Sequence, residues 1–244
     1  MTPARATLVI PCLNEADGLP GLIERLDTMR NGPGGPWEIL FVDDGSTDDT
    51  FRLLSDASAA GWLRVVRHPR NRGLGAALRT GFAEARAPIV VATDADLTCP
   101  FETLPALVKL VEDGADIACG SPWHPASGSA ECSWSRKLLS RAASLLYMLA
   151  VRRRLYSWTC MCRAYRRSSL ERIRFHADGF EAVTEILVTA ALDRQDIREV
   201  PMKLGVRRAG ESKMPMLRTI RGHLALLMRA VGRNSGSAPP RSID

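Results

Sequence analysis

Three short acidic segments stand just past apolar runs. Leu8-Val9-Ile10-Pro11 leads into Asn14-Glu15, Phe41-Val42 into Asp43-Asp44-Gly45-Ser46, and Val90-Val91-Ala92-Thr93 into Asp94-Ala95-Asp96. Carboxylates are hard oxygen donors. A pair beside a diphosphate suits Mg2+ or Mn2+, and a single one can accept from a base N–H or ribose hydroxyls. Side chains alternate in an extended segment, so Asp94 and Asp96 fall on one side. One Asp pair after a strand is most often a cap or a turn. Three acidic clusters on one edge repel unless they face water, bind a cation or hold hydroxyl donors, and together they read as a site.

The elements that carry these segments alternate. Apolar, β-branched runs at 6–11, 37–42, 62–67, 88–93 and 115–120 read as strands, and 17–30, 47–60, 73–86 and 101–112 as helices, the second capped by Ser46 or Thr47. Near-continuous apolar strands alternating with helices predict an α/β fold, a mainly parallel central sheet with helices on both faces. Ligands of such sheets bind at the carboxyl ends of the strands, where the acids lie.

After Ser121 the pattern changes. Residues 122–133 read as a loop, 134–151 as an apolar and basic helix, 155–165 as extended, and 168–173 as a short helix. A helix over 179–193 carries Val183, Ile186, Leu187 and Ala190 on one stripe, and a strand covers 197–204. The helix over 216–233 places Leu217, Ile220, Leu224, Leu227, Met228 and Val231 on one face. The organisation is one domain over 1–233, with a half at 6–120, a second at 121–233, and a disordered tail at 234–244.

Charge separates the halves. The 244-residue chain carries a net +6, yet Ser135 to Arg174 alone holds eleven basic residues against one acid, Glu171. Local basicity points to an anionic partner: a phosphate or an anionic membrane surface. Aromatics at 6% argue against a stacking platform for single-stranded nucleic acid. Six scattered cysteines without a CxxC pair read as reduced, mostly buried thiols of a cytosolic protein. The most apolar run, Leu138 to Val151, falls short of the roughly 20 residues a bilayer span needs and contains Arg141. The N-terminus does not read as a signal peptide. The expected location is the cytoplasm, peripheral to the cytoplasmic membrane face.

Taken in order, these motifs resemble the family-2 glycosyltransferases of GT-A (nucleotide-diphospho-sugar transferase) fold. The segments are Leu8 to Glu15, Val42 to Asp48, Asn71-Arg72-Gly73-Leu74-Gly75-Ala76 with Gly81, and Asp94-Ala95-Asp96-Leu97 with Pro100. Glu185, Glu199-Val200-Pro201 and Arg207 to Lys213 make it similar to the dolichyl-phosphate (polyprenyl-phosphate) mannose synthase branch. The resemblance implies donor-binding roles for Pro11, Leu13, Glu15, Asp43, Asp44, Gly73, Asp94, Ala95 and Asp96. It implies a Mg2+ or Mn2+ site at Asp96 and Asp94, with Thr98 where the family usually has Gln. Arg207 and Lys213 would meet the departing diphosphate, making Asp94, Asp96, Arg207 and Lys213 the catalytic set. Arg136, Arg141 and Arg163 would serve the acceptor.

The implied reaction is inverting transfer of a hexose, mannose favoured, from a GDP- or UDP-sugar to a polyprenyl phosphate. That acceptor is already an anion, so the lack of an obvious His base is no obstacle. The family usually has Tyr where Leu13 stands, and Asp-x-Thr-Ser-Gly-Phe where Ser157 to Cys162 stand. Other donors, a non-lipid acceptor and an inactive membrane scaffold of this fold are the alternatives. A dinucleotide oxidoreductase is disfavoured because Gly73-Leu74-Gly75 lacks a third Gly and follows the third strand. The oligomeric state stays open.

Overall fold

The computed structural model describes residues 3–96, 98–128, 134–205 and 216–236. The elements run β1 (Ala6–Cys12), α1 (Leu19–Met29), β2 (Trp37–Asp43), α2 (Thr50–Ser58), β3 (Leu63–Arg67), α3 (Leu74–Glu84) and β4 (Ile89–Ala92). A short 3-10 turn at Phe101–Thr103 leads into α4 (Leu104–Glu112), followed by β5 (Ile117–Ser121). The second half holds α5 (Trp134–Val151), β6 (Arg163–Arg166), α6 (Arg167–Leu170), α7 (Ala182–Leu192), β7 (Ile197–Pro201) and α8 (Met216–Gly236).

The strands form one seven-stranded sheet in the order β3-β2-β1-β4-β6-β5-β7. Six run parallel. β6 alone is antiparallel, to β4 on one side and β5 on the other. The expected parallel sheet therefore holds, with one reversed strand fifth in the order, and β6 forms only at the end of the segment read as extended.

Alternation along the strands makes two cores. Leu8 and Ile10 of β1 face α1 and α4, packing with Leu22, Leu26, Leu104 and Val108. Val9, with Leu40 and Val42 of β2, faces the other way, onto Ala77 and Leu78 of α3 and the apolar side chains of α7. From Ala182 to Ala191 every residue of α7 is buried, so its expected stripe widens to the whole circumference. Against it packs α8, whose apolar face divides: Leu227 packs on the core and the rest of the described stripe faces out. Its inward residues are Thr219, Leu226 and Ala230, while Ile220, Leu224, Met228 and Val231 are exposed. Side chains of Met216 and Leu217 lie outside the described residues. α8 continues to Gly236, inside the segment expected to be a disordered tail, and 237–244 lie outside the described residues.

The thiol expectation needs one correction. Cys99 and Cys162 are joined in a disulfide, while Cys12 and Cys119 are buried free thiols. The two partners are 63 residues apart in sequence, and only β6 lying beside β4 brings them together.

Candidate active site

The carboxyl ends of β1, β2 and β4 meet because their registers align. Cys12 stands opposite Asp43, and Val9 opposite Ala92, two residues before Asp94. Parallel pairing thus sets the three acidic segments side by side. Burial, then the nearby charges of Asp43, Glu15, Asp48 and Asp44, pushes the Cys12 thiol well above the ordinary range. That shift registers how much negative charge gathers at this edge.

Asp43 is fully buried at the end of β2. Its Oδ1 accepts from the Ser46 amide (3.0 Å), and Oδ2 lies 3.2 Å from Arg67 Nε. The Arg67 contact lacks hydrogen-bond alignment, which leaves Oδ2 a buried acceptor without a hydrogen bond. Arg67 stacks on Phe51, 4.1 Å from the ring centre, and holds its place there. Around this point the β1 turn is pinned to the β2 turn. Asn14 donates its amide to Ser46 Oγ (2.8 Å) and accepts from the Thr47 amide (2.7 Å), and the Glu15 amide donates to Thr50 Oγ1 (2.8 Å). Ser46 and Thr47 therefore tie two loops together instead of capping α2. Pro11 is buried, and Leu13 and Glu15 are half-buried along the same rim.

Asp44 points the other way. Its Oδ1 accepts from the Arg72 amide (3.0 Å) and His68 Nδ1 (2.6 Å), its Oδ2 from the Gly73 amide (2.7 Å). Thr80 Oγ1 stands 2.9 Å from His68 Nε2, so the ring bridges Asp44 to α3. The carboxylate expected at the donor is thus engaged in holding the 71–73 loop. Gly73 has φ +96°, and a Cβ there would collide with the Asp178 carbonyl oxygen. Gly75 meets the same wall: its amide donates to Asp178 O (2.8 Å), and a Cβ would strike Ala177 O. Only glycine fits this approach of the loop to the 176–178 segment.

Asp94 and Asp96 follow β4, both half-buried, with Ala95 buried between them. Asp96 Oδ1 accepts from the Thr98 amide (3.0 Å), which orients its carboxylate. The Thr98 carbonyl accepts from the Gly205 amide (3.0 Å), so the chain two residues ahead of Arg207 is tied to the chain two residues past Asp96. Arg207 and Lys213 themselves lie outside the described residues.

The described residues bring no three His, Cys, Asp or Glu side chains together in a metal-binding group. Two carboxylates fit a Mg2+- or Mn2+-type ion, which takes one or two from the protein and completes its shell with phosphate oxygens and water. The donor set therefore suits an ion that arrives with a diphosphate.

Beyond β5 lies an aromatic and basic cluster. Trp123 donates Nε1–H to Ser140 Oγ (3.0 Å), and Arg141 sits 5.0 Å from its ring centre. His124 meets Tyr156 edge-on at 5.0 Å, and Arg154 lies 5.8 Å from the Tyr156 ring. Glu199 of β7 accepts the amides of Tyr156 (2.8 Å) and Ser157 (3.0 Å), fixing the altered 157–162 segment. Arg141 is thus exposed within this cluster, and the Arg136 side chain lies outside the described residues. Arg163 is placed differently. It is fully buried in β6, and its guanidinium donates to the carbonyls of Val183 and Trp158 (2.8 Å to the latter). It binds α7 to the sheet from inside, so the acceptor role expected of it is not supported by its position. His68, Trp123 and Tyr156 carry no site signal in the sequence, because their roles arise from loops that meet only in the fold, and Glu199 stands there as a motif residue without a role.

The family described as "Glycosyl transferase family 2" matches residues 7–174. A dolichol-phosphate mannosyltransferase of Pyrococcus furiosus is 31% identical over 212 residues, covering 86% of this chain and 59% of that protein. An undecaprenyl-phosphate 4-deoxy-4-formamido-L-arabinose transferase of Klebsiella pneumoniae is 32% identical over 218 residues, covering 88% and 64%. The chain thus spans less than two thirds of either relative. Glucosyl-3-phosphoglycerate synthase from Mycobacterium tuberculosis, crystallised with Mn2+, UDP-glucose and phosphoglyceric acid, is 26% identical with a TM-score of 0.69, over 94% of this chain and 80% of that one. Its complex with Mg2+ and UDP superposes with a TM-score of 0.71 at 23% identity, a likeness of fold, over the same shares.

Proposed function

The chain belongs to glycosyltransferase family 2 and has its GT-A fold, and from that premise we propose that it moves a hexose from a nucleotide sugar to a polyprenyl phosphate at a membrane surface. The observation that carries the lipid acceptor is the surface of α5 and α8. Trp134 (76% exposed), Leu149 (65%), Leu224 (55%) and Met228 (72%) stand in water on two helices that pack together. Arg141, Arg152 and Arg154 on one side and Arg218, Arg221 and Arg229 on the other are exposed among them. Exposed apolar side chains interleaved with arginines match an anionic lipid interface. No helix among the described residues is long and apolar enough to cross a membrane; the proposed contact is peripheral on the strength of the exposed apolar and basic side chains, and the basic surplus favours the cytoplasmic leaflet. The names of the two relatives support the same acceptor class. Residues 1–233 act as one unit in this reading, since β6 of the second half sits between β4 and β5 of the first.

In the proposed site, Asp43, Glu15, Pro11 and Leu13 line the nucleoside, and Asp43 Oδ2, ion-paired with Arg67 but without a hydrogen bond, is the acceptor for it. The Gly73 loop, held by Asp44, lies beside the donor. Asp94 and Asp96 would hold a divalent ion, which when bound would supply Lewis-acid stabilisation of the leaving diphosphate. Thr98 contributes through its amide, by orienting Asp96. Arg207 and Lys213 bring positive charge to the same diphosphate, a role supported by the Gly205 to Thr98 tie. Arg136 and Arg141 receive the acceptor phosphate. One phosphate oxygen attacks the anomeric carbon as the bond to the diphosphate breaks, in line and with inversion. The phosphate needs no proton removed, so no general base is required.

The test is a donor panel, with GDP-mannose first, given with Mg2+ or Mn2+ and a short polyprenyl phosphate, and read by mass spectrometry. The expected product is a hexosyl phospholipid of inverted anomeric configuration. Product only with a small phosphorylated acceptor would replace the lipid reading, and product with retained configuration would overturn the single-displacement mechanism. The membrane part is tested by replacing Arg152, Arg153 and Arg154 with Ser. Each basic residue near an anionic surface contributes about 1 kcal/mol, so partition onto anionic vesicles is expected to fall roughly 100-fold at low salt. Unchanged vesicle binding and unchanged lipid turnover would place the interface elsewhere.

A further inference from the structure

Away from the acidic edge, a cavity of about 620 Å3 opens between α3 and the stretch from α6 to His176. α6 begins just past Arg166, which pairs with Ile89, so this part of the cavity lies at the opposite end of β4 from Asp94. Its floor is apolar. Leu170, Ile173 and Phe175 are buried, and Phe82 meets Phe175 edge-to-face at 6.2 Å.

The rim is cationic, and its charges are unevenly spent. Arg79 donates to Ala177 O (2.9 Å) and is paired with Asp178. Arg167 is paired with Glu171 (3.2 Å) and donates to Arg86 O (3.0 Å). Arg174 is exposed, and among the described residues its guanidinium has no hydrogen bond or ion pair. His176 is exposed beside it, its amide committed to Glu185 (3.0 Å). Two arginines are neutralised locally, which leaves one uncompensated guanidinium over a hydrophobic floor. Concave, mostly apolar walls with a few convergent polar groups are the usual form of a small-molecule site, and the volume lies within the usual range of about 300–1,000 Å3.

We propose that this cavity is a second ligand site, taking a small amphipathic carboxylate. A ring or branched apolar body lies against Phe82 and Phe175, and the carboxylate pairs with Arg174. A monoanion matches the single unspent charge, and a planar carboxylate matches the guanidinium fork. The site does not depend on the transferase reading.

The test uses 3-phenylpropionate, with the neutral 3-phenylpropanamide as its control, titrated into the full chain and followed by NMR. Saturable shifts confined to residues 79–83 and 167–176 are expected for the carboxylate. Loss of a charged hydrogen bond costs about 10-fold or more in affinity, so the amide is expected to bind that much more weakly, as is the carboxylate to Arg174→Gln. Arg174 is exposed, so the variant keeps its fold, checked by its melting temperature. Equal binding of carboxylate and amide, an unaltered affinity in Arg174→Gln, shifts centred on the acidic edge, or no saturation by about 10 mM, weaker than any millimolar site, would each overturn the proposal.

Discussion

Asp96→Asn is expected to remove most of the turnover while leaving the protein folded. The Thr98 amide donates to Asp96 Oδ1 at 3.0 Å, and the Asn carbonyl oxygen can accept the same bond, so the local turn survives. What disappears is the charge. Removing a group placed to stabilise charge in the transition state costs about 3 kcal/mol or more, a rate loss of 100-fold or greater. The measurement is kcat/KM per folded molecule at saturating Mg2+, with the melting temperature recorded alongside. If Asp96 served only the turn, the melting temperature and the activity per folded molecule would both persist. Near wild-type turnover in Asp96→Asn would remove the residue from the metal site.

Asp44→Ala has the largest expected effect on stability. The carboxylate is buried and takes three donors: the amides of Arg72 and Gly73 and the ring of His68. Truncation removes the acceptor of the Arg72 amide and of the His68 ring, while the Gly73 amide keeps Asn71 Oδ1 at 2.9 Å; each buried group left unpaired costs about 1–3 kcal/mol. A total of about 3–5 kcal/mol follows, equivalent to roughly 10 °C in the melting temperature of a chain this size. Nucleotide binding should weaken in parallel, because the Gly73 loop loses its anchor. Asp44→Asn should fall between, since its amide group keeps one acceptor but opposes one of the donors. A melting temperature within about 2 °C of wild type for Asp44→Ala would show that the loop is held by other means.

These two neighbours mark how far the sequence could be read. Asp43-Asp44 announces itself as an acidic pair at a strand end, and the alternation of apolar runs places it on the correct edge. Which of the two holds the 71–73 loop depends on the path of residues 68–73, and nothing local in the pair encodes that. Arg163 fails for a similar reason. Counted with its basic neighbours it belongs to a charged surface, yet it lies in the short strand Arg163–Arg166, whose inward face is set by pairing with β4 and β5. The direction of that strand was also illegible, because a period of two reads the same both ways. α8 departs from the usual inference from amphipathicity: most of its described apolar stripe is turned outward, and Thr219, Leu226 and Ala230 pack inward with Leu227. Small and polar residues fit there because α5 and α7 approach closely, with His223 Nδ1 3.0 Å from the Tyr147 hydroxyl. Burial holds that imidazole below its ordinary range, which keeps it neutral and compatible with this packing.

The reversed strand β6 also constrains the order in which a ribosome can deliver this protein. β3, β2, β1 and β4 are contiguous in the sheet, so four parallel strands can assemble once Ala92 has emerged. The outer edge of β4 then waits for Arg163–Arg166, because β5, although made next, pairs with β6 and β7 and never with β4. Throughout the synthesis of α4, β5 and α5, the nascent chain carries an unpaired, wholly apolar edge, Ile-Val-Val-Ala, the kind of edge that recruits other strands. The strand order thus leaves the nascent chain, and any fragment ending before residue 163, with an apolar edge open to mispairing.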